Sequence, residues 1–298
     1  MKLVRYGPSG REQPGLIDAK GLLRSLRGVV TDIGPDVYAA KGQRALRKLD
    51  PESLPIVRGN PRLGVPFVGI SKYIAIGLNY RDHAAEAGQP LPREPIVFNK
   101  WTTCISGPFD PIEHPPHSTR MDWEVELGVV IGREARYTSV ADALGHVAGY
   151  CTLHDVSERQ FQFERGSQWD KSKGLDGFGP VGPWFVTADE VPDPQTLDLR
   201  LDVNGQRMQT GNTRDMIFSV AQIVSYLSHF MTLRPGDLIA TGTPSGVGMG
   251  RNPPRFLRAG DVVELEVEGL GMQRQTIVPS RDKVAPDAGQ IIPPTARG

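Results

Sequence analysis

At 298 residues, the chain is long enough for one large domain with a small appendage. Its 34 basic and 34 acidic residues balance to a net charge of zero, which argues against the basic surface that nucleic acid binding requires. The longest apolar runs fall far short of the roughly 20 residues that span a bilayer. Charged and turn-forming residues interrupt the start of the chain, where a secretory signal needs an apolar stretch. We therefore expect a cytoplasmic protein with neither nucleic acid nor a membrane as a partner.

The composition favours a fold of short strands and many turns. The sequence contains 34 glycines and 26 prolines, which interrupt helices and occur often in turns. Its two cysteines, Cys104 and Cys151, are too few for a disulfide-stabilised domain of this size, so we expect both to be reduced. The expected fold class is α+β and mainly β.

The first part of the chain has the pattern of a small α/β unit. Apolar residues indicate strands over residues 2–6 and 15–17, and a helix is predicted around residues 43–49. Four prolines within residues 51–66 exclude a regular helix and predict an extended linker. We therefore assign residues 1–66 to a small N-terminal domain and its linker.

The following residues, 67–280, are predicted to form the main domain. A strand over residues 73–76 begins it, and apolar residues at helical spacing predict its longest helix over residues 215–233. Residues 263–267 alternate between apolar residues and glutamate, which indicates a half-buried strand with an acidic, solvated face. The last residues, 281–298, form a proline-rich tail with little apolar content to anchor it.

Glu124 and Glu126 form the first candidate site. The stretch from Trp123 to Val130 alternates like a strand, so the two carboxylates share one face. At about 3.3 Å rise per residue they stand roughly 6.6 Å apart along the backbone and can converge on one ion. Hard divalent cations such as magnesium and manganese prefer oxygen ligands of this kind. The alternative is an exposed strand face on which both glutamates are simply solvated.

Asp155 is a second candidate, because it follows an apolar strand predicted over residues 148–153. It also opens a polar segment, and the ends of strands are where binding and catalytic sites are commonly built. By position alone, however, Asp155 suits the N-cap of a helix better than a ligand position.

His83 and Glu86 lie three residues apart in a stretch compatible with a helix, so they are neighbours on one helical turn. A carboxylate beside an imidazole raises its basicity and selects its tautomer, which is what a general base needs near neutral pH. The alternative is a surface ion pair of small energetic value.

Two glycine-rich segments complete the pattern. Residues 169–180 contain Lys171 and Lys173 in a turn region, where a lysine can neutralise a carboxylate or a developing oxyanion. Residues 236–248 read as a strand that enters a tight loop of glycine, proline, serine and threonine. The backbone N–H groups of such a loop can bind an anion, although the loop lacks the nucleotide-binding pattern G-x-x-x-x-G-K-[ST].

In their order and spacing, these features resemble the catalytic domain of the fumarylacetoacetate hydrolase family, over residues 72–279. Within the family, the chain most resembles bacterial 2,4-diketo-3-deoxy-L-fuconate hydrolases and ureidoglycolate lyases. The resemblance implies a mixed β-roll and a homodimer. The motifs that carry it are Glu124-Val125-Glu126, Asp155-Val156-Ser157-x-Arg159, the lysine before Phe178-Gly179-Pro180 and the loop Thr241-Gly242-Thr243-Pro244-Ser245-Gly246-Val247-Gly248.

The resemblance also implies a metal centre and a catalytic pair. Glu124, Glu126 and Asp155 match the family's metal ligands, which usually hold Mg²⁺ or Mn²⁺. His83 and Glu86 match a catalytic dyad that the family carries on a lid. These five residues are therefore the expected metal and proton-transfer groups.

Further matches concern the substrate. Lys173, rather than the lysine two residues before it, matches the family's active-site lysine, and Thr243 matches a threonine that contacts the substrate. Arg159 and Gln162 fall on a segment that helps to shape the pocket. Lys100 stands where many members carry a lysine near the substrate carboxylate. We therefore expect Lys173 to be catalytic and the other four residues to bind substrate, namely Lys100, Arg159, Gln162 and Thr243.

The activity implied is a metal-dependent hydrolysis of the C3–C4 bond of a small 2,4-dioxo acid, which yields pyruvate and a carboxylic acid. The same residues are compatible with an isomerase, a decarboxylase or a lyase that acts on a related oxo acid. A non-catalytic binding protein on the same fold is the alternative from another class, since fold alone does not establish activity.

Overall fold

β-Strands account for most of the regular structure, as the composition predicted. The computed structural model describes residues 1–166 and 168–281, and within these ranges it contains eighteen strands and seven α-helices. Of the tail predicted over residues 281–298, everything after residue 281 lies outside the described residues. Within the described part, no helix combines the length and apolar character that a membrane span requires.

The strands are mostly short, as expected of a chain rich in glycine and proline. They are β1 (Lys2–Tyr6), β2 (Gln13–Ile17), β3 (Leu23–Ser25), β4 (Tyr73–Gly77), β5 (Ile96–Lys100), β6 (Ile105–Ser106), β7 (Ile112–His114), β8 (Met121–Asp122), β9 (Val125–Ile131), β10 (Val147–His154), β11 (Ser157–Glu158), β12 (Gly179–Pro180), β13 (Phe185–Thr187), β14 (Asp198–Val203), β15 (Gln206–Asn212), β16 (Leu238–Ala240), β17 (Val262–Val267) and β18 (Gly271–Pro279).

The helices are short too, and they connect or cover the strands. They are α1 (Pro35–Tyr38), α2 (Ala40–Leu46), α3 (Arg81–Glu86), α4 (Val140–Ala143), α5 (Arg159–Glu164), α6 (Asp170–Lys173) and α7 (Val220–Phe230). Helix α7 is shorter than the predicted range of 215–233, because a capping box of Ser219 and Gln222 starts it and the extended Met231 ends it. Helix α2 lies a few residues before its predicted position.

A nine-stranded mixed sheet forms the centre of the molecule, in the order β3-β2-β1-β13-β10-β9-β16-β4-β5. Strands β16 and β4 run parallel, whereas β9 pairs antiparallel with both β10 and β16. The first three strands join this sheet through the pairing of β1 with β13. The N-terminal residues therefore extend the sheet of the main domain, and the boundary at residue 66 stays a prediction.

A five-stranded sheet, in the order β15-β14-β17-β18-β7, packs against the first sheet. Strands β14 and β17 contact β9, and β17 and β18 contact β10. Strand β17 has the predicted alternation, with Val263 and Leu265 buried and with Glu264 and Glu266 paired to surface arginines. The α+β, mainly β fold is confirmed, and the packed sheets leave β9 and β10 buried along their whole length.

Candidate active site

The pairing of β9 with β10 brings three carboxylates together. In this antiparallel pair, Glu126 lies opposite Leu153. Two residues farther along, the backbone N–H of Asp155 donates to the carbonyl of Glu124 at 3.0 Å. Because side chains alternate along a strand, Glu124, Glu126 and Asp155 emerge on the same face. One carboxylate oxygen of each lies within 4.8 Å of the others.

All three carboxylates are buried, which resolves two of the alternatives left open by the sequence. Glu124 is 4% exposed, Glu126 1% and Asp155 0%. Strand β9 begins at Val125 and is buried on both faces, so the glutamates do not lie on an exposed strand face. Asp155 does not cap the helix that follows it, because the N-cap of α5 is Glu158.

Lys173 supplies positive charge to this cluster. It ends helix α6, where its backbone N–H donates to the carbonyl of Trp169. Its Nζ donates to Oε2 of Glu124 at 2.7 Å and to Oδ2 of Asp155 at 2.9 Å. Burial alone would lower the pKa of Lys173, but the negative charges of Asp155 and Glu124 outweigh burial and raise the pKa. Lys173 is therefore a charged group held between two carboxylates.

The pKa values of the two glutamates are shifted in opposite directions. Burial alone would raise the pKa of Glu124, but the charges of Lys173 and Arg159 outweigh it and hold that pKa at about 2. At Glu126, by contrast, burial and then the charges of Asp155 and Glu124 raise the pKa well above its usual value. A divalent cation would offset this excess of negative charge, and carboxylate oxygens are the ligands that Mg²⁺ and Mn²⁺ take. The donor set fits such an ion.

Arg159 connects the carboxylates to the neighbouring segments. Its Nη2 donates to Oε1 of Glu124 at 2.6 Å, its Nε donates to Asp122 at 2.8 Å, and its Nη1 donates to Gln162 at 3.0 Å. Asp122 was not singled out in the sequence, although it is fully buried and also accepts the backbone N–H of Gly248 at 2.6 Å. Its position in the sequence, two residues before Glu124, could have identified it as a candidate site residue. Asp122 thus positions Arg159 rather than facing the cavity itself.

Lys100 lies behind the carboxylates rather than in the cavity. Its Nζ donates to Oδ1 of Asp155 at 2.6 Å and to the carbonyl of Phe178 at 3.1 Å, and it also contacts the carbonyl of Lys173. Three donors with three acceptors leave this ammonium no hydrogen for a ligand. The geometry therefore fits a group that orients Asp155, whereas the sequence suggested direct contact with substrate.

His83 and Glu86 pair on the short helix α3. Nδ1 of His83 lies 3.0 Å from Oε2 of Glu86, and His83 is buried. Because an ionised carboxylate can only accept, Nδ1 carries the proton, which leaves Nε2 of a neutral imidazole as the basic atom. The alternative of an exposed surface ion pair does not describe this site.

The loop after β16 contacts Glu86 of the dyad and Glu126 of the carboxylate cluster. Its backbone N–H groups donate to side chains of the protein: Gly242 to Glu126 and Gly246 to Glu86, both at 2.8 Å. The anions that this loop binds are thus carboxylates of the chain itself, which the sequence did not predict. Gly246 has a φ of +101°, and a Cβ there would lie 2.1 Å from the carbonyl oxygen of Met208, so this position requires glycine.

Thr243 lies in the same loop and is tied to the sheet. Its Oγ1 donates to the carbonyl of Val125 at 2.9 Å and accepts from Nε2 of Gln209 at 2.8 Å. Gln209 is fully buried on β15 and also accepts the backbone N–H of Val125 through its Oε1 at 2.9 Å. Gln209 is a second residue that the sequence did not identify, because a single glutamine in a strand gives no chemical signal.

One cavity of about 520 Å³ joins most of these groups. Glu86, Glu126 and Lys100 stand outside its lining. The predicted site residues that line it are His83, Glu124, Asp155, Arg159, Gln162, Lys173 and Thr243. The larger apolar side chains that also line it, which the sequence did not identify, are Ile76, Leu78, Ile96, Phe98, Phe163, Trp169 and Met249.

Known proteins resemble this chain over most of its length. The family model for the C-terminal domain of fumarylacetoacetate (FAA) hydrolase matches residues 72–278. A Burkholderia cenocepacia (strain HI2424) protein with only a provisional hydrolase name is 59% identical over 276 residues, which are 92% of this chain and 98% of that protein.

Solved structures also resemble this chain over nearly its whole length. The fumarylacetoacetate hydrolase of psychrophilic Exiguobacterium antarcticum has a TM-score of 0.82 and is 34% identical, over 94% of this chain and 100% of that one. The 5-carboxymethyl-2-hydroxymuconate delta-isomerase of Mycobacterium smegmatis has a TM-score of 0.73 and is 32% identical, over 95% and 100%. Family members typically use a divalent metal, and the triad of Glu124, Glu126 and Asp155 could bind one. The chain belongs to the fumarylacetoacetate hydrolase family, whose members are enzymes that act on oxo acids.

Proposed function

We propose that the protein is a divalent-metal-dependent hydrolase that cleaves the C3–C4 bond of a small 2,4-dioxo acid. The observation that carries the proposal is a single cavity lined by two members of a carboxylate cluster and by a paired histidine. Glu124 and Asp155 lie directly beside the paired strands β9 and β10, and His83 lies on helix α3. The products would be pyruvate and a second carboxylic acid.

Glu124, Glu126 and Asp155 would hold the metal, for which we propose Mg²⁺ or Mn²⁺. When bound, such an ion supplies Lewis acidity that polarises the 2-oxo group and favours negative charge on the pyruvate part of the substrate. Arg159 and Lys100 keep Glu124 and Asp155 in orientation through hydrogen bonds to one oxygen of each carboxylate.

Residues of the chain would carry out the remaining steps of the reaction. Nε2 of His83, whose tautomer Glu86 selects, takes a proton from water, and the hydroxyl oxygen bonds to C4 of the substrate. Lys173 stabilises the negative charge that develops on the C4 oxygen. The C3–C4 bond then breaks, and C3 receives the proton that His83 had taken. One water molecule is consumed, and its atoms are divided between pyruvate and the new carboxylic acid.

An isomerase that acts on a related oxo acid is the second candidate. The observation in its favour is the structural neighbour from Mycobacterium smegmatis, which is named as an isomerase. Such a reaction would use the same metal and base to move a proton without addition of water to C4. A decarboxylase or lyase would differ from the hydrolase in the same way.

The partners that we propose are the small oxo acid and a second copy of the chain, in the cytoplasm. The homodimer rests on the resemblance alone. Light scattering should give twice the chain mass of 32.6 kDa, and a mass of one chain would contradict the dimer.

The test of the activity is a panel of 2,4-dioxo acids, beginning with acetylpyruvate, incubated with the protein and Mg²⁺. Pyruvate release above the rate without enzyme supports the hydrolase. Proton exchange or double-bond migration without pyruvate would favour the isomerase. The chelator-treated protein is the control, and it should lose the activity until Mg²⁺ is restored.

A further inference from the structure

The cavity has two chemically different parts. Its polar part contains the carboxylates Glu124 and Asp155, the imidazole of His83 and the cations Lys173 and Arg159. Much of the remaining wall consists of large apolar side chains from separate segments, and the two glutamines and one threonine that also line it are neutral. Four of these apolar side chains, which we call the apolar wall, are Ile96, Phe98, Phe163 and Trp169.

Both cations in the lining are already paired with carboxylates of the protein. Lys173 donates to Glu124 and Asp155, and the Nε and both Nη atoms of Arg159 donate to Asp122, Gln162 and Glu124. Among the lining residues that the structure describes, there is no further lysine or arginine, and the one histidine, His83, is paired with Glu86 through its Nδ1. A substrate with a second carboxylate, away from the metal-binding end, would therefore lose hydration in this cavity without gaining a counter-ion.

The apolar wall is a packed surface with open space above part of it. The rings of Phe98 and Trp169 pack edge to face at a centroid distance of 5.3 Å. Gly77 makes this possible, because a Cβ at that position would lie 2.4 Å from the Trp169 ring. Phe163 is 55% exposed and Ile96 37% exposed, so apolar surface at the cavity remains uncovered in the chain itself.

From these observations, and on the basis of the proposed hydrolase function, we propose that the group attached to C4 of the substrate is apolar, an alkyl or aryl chain. The enzyme would accept 2,4-dioxo acids with one carboxylate and discriminate against those with two. The polar end recognises the 1-carboxylate and 2-oxo group that all these substrates share, so selectivity comes from the apolar wall of Ile96, Phe98, Phe163 and Trp169.

The test compares two substrates that differ in one group. 7-Methyl-2,4-dioxooctanoate and 2,4-dioxoheptanedioate have the same dioxo acid part, but the first ends in an isopropyl group where the second has a carboxylate. Hydrolysis would give pyruvate together with 4-methylpentanoate or succinate. We expect kcat/KM for the isopropyl substrate to exceed that for the dioate by about 10-fold, since the second carboxylate would lose part of its hydration against the wall without gaining a counter-ion.

A charge placed in the apolar wall should shift this preference. Phe163→Arg adds a cation at the cavity, and we expect the dioate-to-isopropyl ratio of kcat/KM to rise about 10-fold. Phe230→Arg is the matched control, because Phe230 is also exposed, at 67%, and does not line the cavity. It makes the same change in net charge and should leave the ratio unchanged.

The outcomes separate this inference from the proposed function. Pyruvate release from the dioate at an equal or greater rate would overturn the inference and leave the hydrolase standing. If neither substrate releases pyruvate, the proposed hydrolase function is wrong. The inference about the apolar wall can then be tested by calorimetry in the presence of Mg²⁺, which measures the affinity of two ligands that lack the C4 oxo group and cannot be hydrolysed. 5-Methyl-2-oxohexanoate should then bind more tightly than 2-oxoglutarate, and the reverse order would overturn it.

Discussion

Nζ of Lys173 lies 2.7 Å from Oε2 of Glu124, and both side chains are buried. The lysine therefore neutralises part of the charge that a metal ion would otherwise have to balance. Removal of Lys173 leaves buried carboxylate charge without its partner, which is strongly destabilising. This pair thus connects stability of the metal-free protein to the chemistry of the site.

Lys173→Met should destabilise the metal-free protein by about 3–5 kcal/mol and lower kcat by about 10²–10³-fold. Because the carboxylates remain, Mg²⁺ should raise the melting temperature more in this variant than in the wild type. Thermal unfolding with and without Mg²⁺ measures the first effect, and pyruvate release measures the second. Lys171→Met is the control, since Lys171 is exposed. Equal effects of the two substitutions would contradict the assignment of Lys173.

Glu126→Gln should abolish tight Mg²⁺ binding, because it removes one of three carboxylate charges while keeping the shape of the side chain. Calorimetry measures the affinity directly. Glu266→Gln is the matched control, because Glu266 lies on the acidic strand β17 and pairs with Arg200 at the surface. Unchanged affinity in Glu126→Gln, or an equal loss in the control, would place the metal elsewhere.

The same residue predicts a pH effect on the metal-free protein. The pKa of Glu126 is raised in the folded state by burial and then by Asp155 and Glu124. The contribution of Glu126 to the free energy of unfolding is therefore complete below pH 4.5, its pKa in the unfolded chain. This contribution is lost as the pH rises through the pKa of Glu126 in the folded protein. With chelator present, Glu126→Gln should gain stability over the wild type as pH rises above 4.5. Denaturant unfolding at several pH values checks this, and a constant difference would refute it.

His83→Ala should suppress pyruvate release by about 10²–10⁴-fold, because the variant lacks the group that we propose as the base that activates water. Metal binding should persist, since the carboxylates are unchanged. We expect the C3 protons of acetylpyruvate still to exchange in D₂O with Mg²⁺ faster than without protein. NMR follows exchange and pyruvate together, and undiminished pyruvate release from the variant would contradict the role of His83.

Three residues show most clearly what could be predicted from the sequence and what required the tertiary structure. Glu124, Glu126 and Asp155 were identified from strand pattern and family spacing, because their chemistry is visible in the residue types themselves. Their convergence within 4.8 Å depends on the register of β9 with β10, which is a long-range pairing. Burial also came from packing, since an alternating pattern alone suits an exposed face equally well.

The sequence by itself determined the mainly β fold class, because composition and periodicity are local properties of the chain. Through motifs that resemble the family, it also indicated the family and most of the candidate site residues. The tertiary structure alone decided that Lys100 points at Asp155 and that Asp122 orients Arg159. It also decided which apolar residues form the cavity wall. Ile96 and Phe163 lie far apart in the chain, and only folding brings them to the one surface that we propose selects the substrate by its shape and lack of charge.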